Sequence, residues 1–306
     1  VKKRNRLQKN KLILKSVRQR NSFAASFLAV RAATAKLRKD GYNMQAGVST
    51  ACLYPMELEK SLYELAVRGV ECTEIFVNTH CEMFDPYLSQ MKNIQKQTGI
   101  KVKSVHPYTC SIEPIMFFTK YERRINDFLE YYKNYLNYMN EFGAEILVLH
   151  GNKNENKFPD EAYFERFALL QELAESFGVC VAQENVSRCT SGSLAFLEKM
   201  KSYLGDKAKF VLDIKQAHRA GEDPISMVRA LENSIVHIHF SDCGKSGDCL
   251  LYGEGEYDND AFFKELNKIN YTDSILLELY RDGYNKIEDL IENYRLLKCT
   301  VDKYSQ

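Results

Sequence analysis

No run of 18 apolar residues occurs anywhere in the 306-residue chain, so no membrane-spanning helix is expected. The nine cysteines (52, 72, 81, 110, 180, 189, 243, 249 and 299) show no CxxC pair and no metal-finger spacing. Several lie inside apolar stretches, as Cys180 does in Val179-Cys-Val-Ala182. That pattern argues against a disulfide framework and suits reduced thiols in a cytoplasmic protein. No GxGxxG or GxxxxGK[ST] turn follows the first strand-like segment, which counts against a doubly wound nucleotide-binding sheet.

A surplus of charge is also lacking, but the formal net charge of +1 hides a split. Residues 1–43 carry 13 Lys/Arg against a single acid, Asp40, a formal +12. The remainder holds 29 basic and 40 acidic side chains, a formal −11. An acidic body argues against a nucleic-acid partner. The basic segment has no sustained amphipathic pattern beyond a weak apolar patch at Phe23–Val30. Three readings fit it: a disordered basic arm, an organelle transit peptide, or a stretch outside the natural protein. The third is preferred on the sharp composition break before Met44. It carries the expectation that residues 1–43 can be removed without loss of folding or activity.

From Met44 onward, strand and helix patterns alternate. Strands are expected at Gln45–Cys52, Cys72–Asn78, Val102–His106, Glu145–His150, Cys180–Val186, Lys209–Lys215, Ile235–Asp242 and Ser274–Tyr280. Helical periodicity fills the intervals at Glu57–Arg68, Pro86–Thr98, Tyr121–Phe142, Glu161–Phe177, Ser193–Leu204, Pro224–Asn233 and Asp260–Ile269, with a last helix over about Lys286–Lys298. Runs such as Ile146-Leu-Val-Leu149 are continuously apolar, as strands covered on both faces should be. Eight βα units in one domain, residues 44–306, predict an α/β fold of the (β/α)8 TIM-barrel type. The Tyr-rich run Tyr121–Tyr138 reads as packing or as a face for a homo-oligomer.

Barrel chemistry is built at the C-terminal ends of the strands. There the sequence sets Glu184 in strand five, Asp213 in six, His239 in seven and Glu278 in eight. A carboxylate embedded in Ile-Leu-Leu-Glu-Leu must be paired, protonated or metal-bound, because an isolated buried charge costs several kcal/mol. A structural ion pair with Lys215 is one solution for a single residue. Four such groups converging on one barrel mouth point instead to a metal site. Three carboxylates and one imidazole favour Mn²⁺, Mg²⁺ or Co²⁺ and also admit Zn²⁺. Such a site suits proton abstraction beside a carbonyl through a metal-stabilised enediolate. His237, two residues before His239, is expected to support the site from the barrel interior. Glu74 is expected either to orient a hydroxyl or to pair with a cation.

These segments resemble a known family. Gln183-Glu-Asn-Val186, Val211-Leu-Asp-Ile214, Val236-His-Ile-His-Phe-Ser-Asp242, Gly253-Glu-Gly255 and Leu276-Leu-Glu-Leu279, with the opening Gly47-Val-Ser-Thr-Ala-Cys-Leu-Tyr54, are similar to sugar phosphate isomerases/epimerases of the xylose isomerase-like TIM barrel superfamily. The pattern is close to that of ketose 3-epimerases and runs from Met44 to the C-terminus. The resemblance implies metal ligation by Glu184, Asp213, His239 and Glu278, with Glu184 and Glu278 doubling as acid and base. It further implies a small-molecule sugar or polyol substrate. Three positions depart from the epimerase pattern: Gln216 stands where those enzymes have His, Thr190 where they have Glu, and Lys245 where they have Arg. These are substrate-contacting positions, so Gln216 and Lys245 join His106, His150 and Arg188 as candidate substrate-binding residues. Without a Gly-rich phosphate cradle, a free sugar is favoured over a sugar phosphate. Three other functions share such a barrel: an inosose-type dehydratase, a nuclease of the AP endonuclease IV type and a non-catalytic sugar-binding protein. The nuclease requires more histidines than the six present.

Overall fold

The computed structural model describes residues 44–305; the expectations for residues 1–43 lie outside them. Seven barrel strands follow in order: β1 (Gln45–Ser49), β2 (Cys72–Phe76), β3 (Lys101–His106), β4 (Ile146–Leu149), β5 (Cys180–Glu184), β6 (Phe210–Asp213) and β7 (Ile235–Phe240). A two-stranded antiparallel hairpin, β8 (Asp242–Gly244) and β9 (Gly247–Leu250), comes before the eighth barrel strand, β10 (Ser274–Leu277). The eight strands are parallel and each pairs with its neighbour in sequence; β10 closes the ring on β1. This is the TIM barrel that the alternating pattern predicted.

Closure is tight at β1. A Cβ on Gly47 would lie 2.2 Å from Leu276 Cδ2 and 2.4 Å from the Cys72 carbonyl oxygen, so only glycine fits between β2 and β10. The main core lies between strands and helices. A small separate cluster of Ile146, Val148, Ala182 and Val211 lies on the inner face of β4, β5 and β6, with Ala182 and Val211 each two residues before a side chain that reaches the mouth. The long helix Glu122–Phe142 buries Tyr132, Tyr135 and Tyr138 within the chain, so much of the Tyr-rich run is internal packing.

Several boundaries differ from the expected ones, and one of them matters. The sixth strand stops at Asp213, not Lys215, because Asp213 caps the helix Ile214–Ala220: its Oδ1 accepts the Gln216 backbone N–H at 2.8 Å. Lys215 therefore sits in a first helical turn and not in a strand. The stretch after β7, expected as a loop, contains the β8–β9 hairpin.

Candidate metal centre

Register places the key groups side by side. Asp213 on β6 is level with His239 on β7, which is level with Leu276 on β10. Glu278, two residues further on, continues that ladder by donating its backbone N–H to the Phe240 carbonyl at 3.0 Å. Glu184 ends β5. Period-2 alternation then turns all four side chains inward at the mouth, from adjacent levels of the ladder. One donor atom from each of Glu184, Asp213, His239 and Glu278 lies within 4.8 Å of the other three.

The imidazole of His239 joins two layers. Its Nε2 lies 3.1 Å from Glu74 Oε2, and a carboxylate can only accept, so Nε2 carries the hydrogen. Its Nδ1 faces Glu184 Oε1 at 3.4 Å, Glu278 Oε2 at 3.6 Å and Asp213 Oδ2 at 3.9 Å. Beneath, Glu74 also accepts from Ser49 Oγ at 3.1 Å and Ser104 Oγ at 2.8 Å. His237 belongs to this lower layer: its Nδ1 is 2.6 Å from Ser274 Oγ and its Nε2 is 3.5 Å from Glu74 Oε2. A carboxylate that holds the far nitrogen of an imidazole fixes its tautomer, as in metal sites built on histidine.

The carboxylates are not equally satisfied. Glu184 Oε2 and Asp213 Oδ2 are fully buried and make no hydrogen bond. His150 Nε2 lies 2.8 Å from Glu184 Oε2 and His106 Nε2 3.8 Å from it, and the two histidine nitrogens are 2.8 Å apart. Lys215 donates to Glu278 Oε2 at 2.7 Å and lies 3.2 Å from Asp213 Oδ2. Glu184 Oε2 and Asp213 Oδ2 therefore each have a nitrogen in ion-pair contact but no aligned hydrogen bond, and a buried acceptor left short of hydrogen bonds is costly. A hard divalent cation would satisfy both oxygens, and the donor set of three carboxylates and one imidazole fits it.

Charge explains the proton affinities. Burial raises the Glu184 carboxyl, but the surrounding imidazoles of His150, His106 and His239 outweigh it and hold the pKa well below the ordinary value. Burial pushes Asp213 up to about 8, only partly offset by Lys215. Glu278 is buried too, yet Lys215 and His239 bring it down to about 2. Burial disfavours charge on His239 and Lys215, but the acidic neighbours outweigh it and raise both well above their ordinary values. A cation among these acids is strongly favoured.

A family model for the xylose isomerase-like TIM barrel matches residues 62–298. The chain belongs to that family. This xylose isomerase-like barrel is 25% identical over 208 residues to the inosose isomerase of Bacillus subtilis (strain 168), an alignment covering 63% of this chain and 74% of the relative. Among solved structures, a D-tagatose 3-epimerase-like protein superposes with a TM-score of 0.71 at 19% identity, covering 85% of this chain and 98% of that one. The IOLI protein with a binding zinc atom gives 0.71 at 20% identity, covering 85% and 99%. At such identities the superpositions establish the fold.

The other candidates in this xylose isomerase-like barrel divide. His106 and His150 stand at the cluster, on the Glu184 side. Arg188 is exposed on the loop after β5. Gln216 is turned to that loop, its Oε1 accepting from Ser187 N at 3.1 Å and Ser187 Oγ at 2.9 Å. Lys245, with its side chain 89% exposed, pairs with Glu256 at 3.6 Å and is not brought to the cluster. Two residues acquire more weight than the sequence gave them. Glu74 had signalled itself as a carboxylate inside an apolar strand, and Lys215 as a cation two residues after Asp213. Glu113 gave no such signal; it lies buried beyond β3 and accepts from Tyr132 Oη at 2.9 Å and Gly151 N at 2.5 Å.

Proposed function

We propose that this barrel is a divalent-metal-dependent isomerase or epimerase acting on a small polyhydroxy ketone, a sugar or polyol. The observation that carries the reading is the convergence of four donor atoms, three of them from carboxylates, within 4.8 Å of one another in a buried barrel mouth. The names of the related inosose isomerase and tagatose 3-epimerase-like proteins support the reaction class. Glu184, Asp213, His239 and Glu278 are the proposed ligands, with Mn²⁺, Mg²⁺ or Co²⁺ favoured and Zn²⁺ compatible. When bound, the ion would supply Lewis-acid polarisation of the substrate carbonyl, which acidifies the neighbouring C–H.

The remaining work falls to side chains. Glu184 and Glu278 come from β5 and from the end of β10, three steps apart around the ring, and approach the centre from different sides. One would remove the proton from the carbon beside the carbonyl and the other return it to the opposite face, as inversion requires. His106 and His150, which lie beside Glu184, would donate hydrogen bonds to substrate oxygens. Glu74 and His237 in the lower layer are fully buried and would hold the His239 ring in place.

The test is deuterium wash-in from solvent across a panel of ketoses and cyclic polyol ketones with Mn²⁺ present. Wild type should exchange and epimerise or isomerise. Glu278→Gln should keep most of its metal and lose turnover by at least about 10²-fold, the usual worth of a positioned acid or base. One member of the pair Glu184→Gln and Glu278→Gln should retain exchange from a single substrate face. Equal loss from both faces in metal-loaded variants would defeat the two-base reading, and elimination of water from the substrate would favour a dehydratase.

A further inference from the structure

Lys215 is the one cationic side chain of a lysine or arginine that touches the proposed ligands among the described residues. It reaches them because Asp213 ends β6 by capping the next helix, which turns the second residue of that helix back over the barrel mouth. The residue is 2% exposed. Its ammonium donates to Glu278 Oε2 at 2.7 Å, lies 3.2 Å from Asp213 Oδ2 and sits 5.0 Å from the centre of the Tyr280 ring. The same Glu278 oxygen is one of those facing His239 Nδ1, at 3.6 Å. One oxygen thus serves both the internal cation and the space where an ion would be held.

We propose that Lys215 is a built-in competitor for the metal: it holds Glu278 in the metal-free protein and must release that oxygen when a divalent ion binds. The inference rests on the four-residue metal reading above. The physical reason is that like charges repel across a few ångströms of buried space, while a carboxylate oxygen already hydrogen-bonded to an ammonium is a poorer ligand. Glu184, Asp213 and His239, none of which is hydrogen-bonded by Lys215, form the initial seat; Glu278 completes it on release. The device lets the metal-free barrel tolerate a cluster of buried acids, at the expense of metal affinity.

The experiment compares wild type with Lys215→Met, Lys215→Gln and Lys215→Arg by calorimetric titration with Mn²⁺ and by thermal melts with and without Mn²⁺. Lys215→Met and Lys215→Gln should bind Mn²⁺ at least about 10-fold more tightly, since each removes a buried positive charge beside the site. Their metal-free melting points should fall and the gain on adding Mn²⁺ should exceed that of wild type. Lys215→Arg, which keeps the charge, should bind no more tightly than wild type. Lys215→Gln retains hydrogen-bonding capacity and gives a folded neutral variant where Lys215→Met does not fold. If wild type binds Mn²⁺ and the neutral variants bind equally or more weakly, Lys215 positions the ligands and the proposal is overturned while the metal site stands. If neither wild type nor any variant binds Mn²⁺, the metal reading itself falls and this inference with it.

Discussion

His239 has to serve two neighbours with one ring, and the division of its nitrogens accounts for the choice between the two histidines of His-Ile-His. Glu74 holds Nε2 at 3.1 Å and leaves Nδ1 facing the acids, whereas both nitrogens of His237 are engaged below. Period 2 turns both inward, and chain direction puts His239, two residues nearer the C-terminal end of β7, at the mouth and His237 below it. Glu184→Gln, Asp213→Asn and His239→Ala are each expected to weaken Mn²⁺ binding by more than about 10-fold in calorimetric titration. Glu74→Gln should cost about 10- to 100-fold, the usual price of losing a carboxylate behind a metal-binding imidazole. His237→Gln should cost less than any of these. A His237 variant that loses more metal than the His239 variant would reverse the assignment.

At the scale of elements, strands and helices were legible and the course of the loops between them was not. Strand cores announce themselves by apolar runs of β-forming residues, but a loop's course depends on polar contacts distant in sequence. Asp242 shows this: its Oδ2 accepts from Gly253 N at 2.9 Å and Asn259 Nδ2 at 3.0 Å, folding Gly253-Glu-Gly255 back under the β8–β9 hairpin. A Cβ on Gly255 would lie 2.2 Å from Asp242 Oδ1, which gives that motif a packing role. Glu113 ties the short helix Glu113–Met116 to the turn after β4 in the same way. Burial pushes its carboxyl from the ordinary 4.5 up to about 8. A carboxyl with a raised folded-state pKa keeps a proton that the unfolded chain has released, so its contribution is present below pH 4.5 and is lost as pH rises to about 8. The slope approaches roughly 1.4 kcal/mol per pH unit within that window. Glu113→Gln removes this share. In urea unfolding from pH 5 to 8, wild type should lose stability relative to the variant as pH rises; a constant difference would show that Glu113 does not titrate there.

At the scale of the whole molecule, the barrel and the four-residue centre depend on the same condition, closure of the ring. Eight alternating units made the barrel readable, and the inward-facing carboxylates made the level of the site readable. Lys215 was legible as an ion-pair partner for one buried carboxylate; its place in the first turn of a helix, touching both Asp213 and Glu278, was not, because the strand ends two residues earlier than expected. Closure itself leaves a single trace in the sequence at Gly47. There β1 is wedged between β2 and β10, and β10 leads directly to Glu278. An added methyl would meet the flexible end of Leu276, which can turn aside, and the Cys72 carbonyl, which cannot move without its strand. Gly47→Ala should therefore cost about 1–3 kcal/mol, the usual range for overpacking, and lower the melting temperature by several degrees. Strain placed on β10 should also reach Glu278 and reduce the stabilisation gained from saturating Mn²⁺, which scales with the logarithm of metal concentration over its dissociation constant. Melts of the variant with and without Mn²⁺ separate the two effects. A variant that is destabilised but keeps the full Mn²⁺ increment would mean that closure and the metal centre are independent, and one that melts like wild type would mean that β1 has room the packing does not suggest.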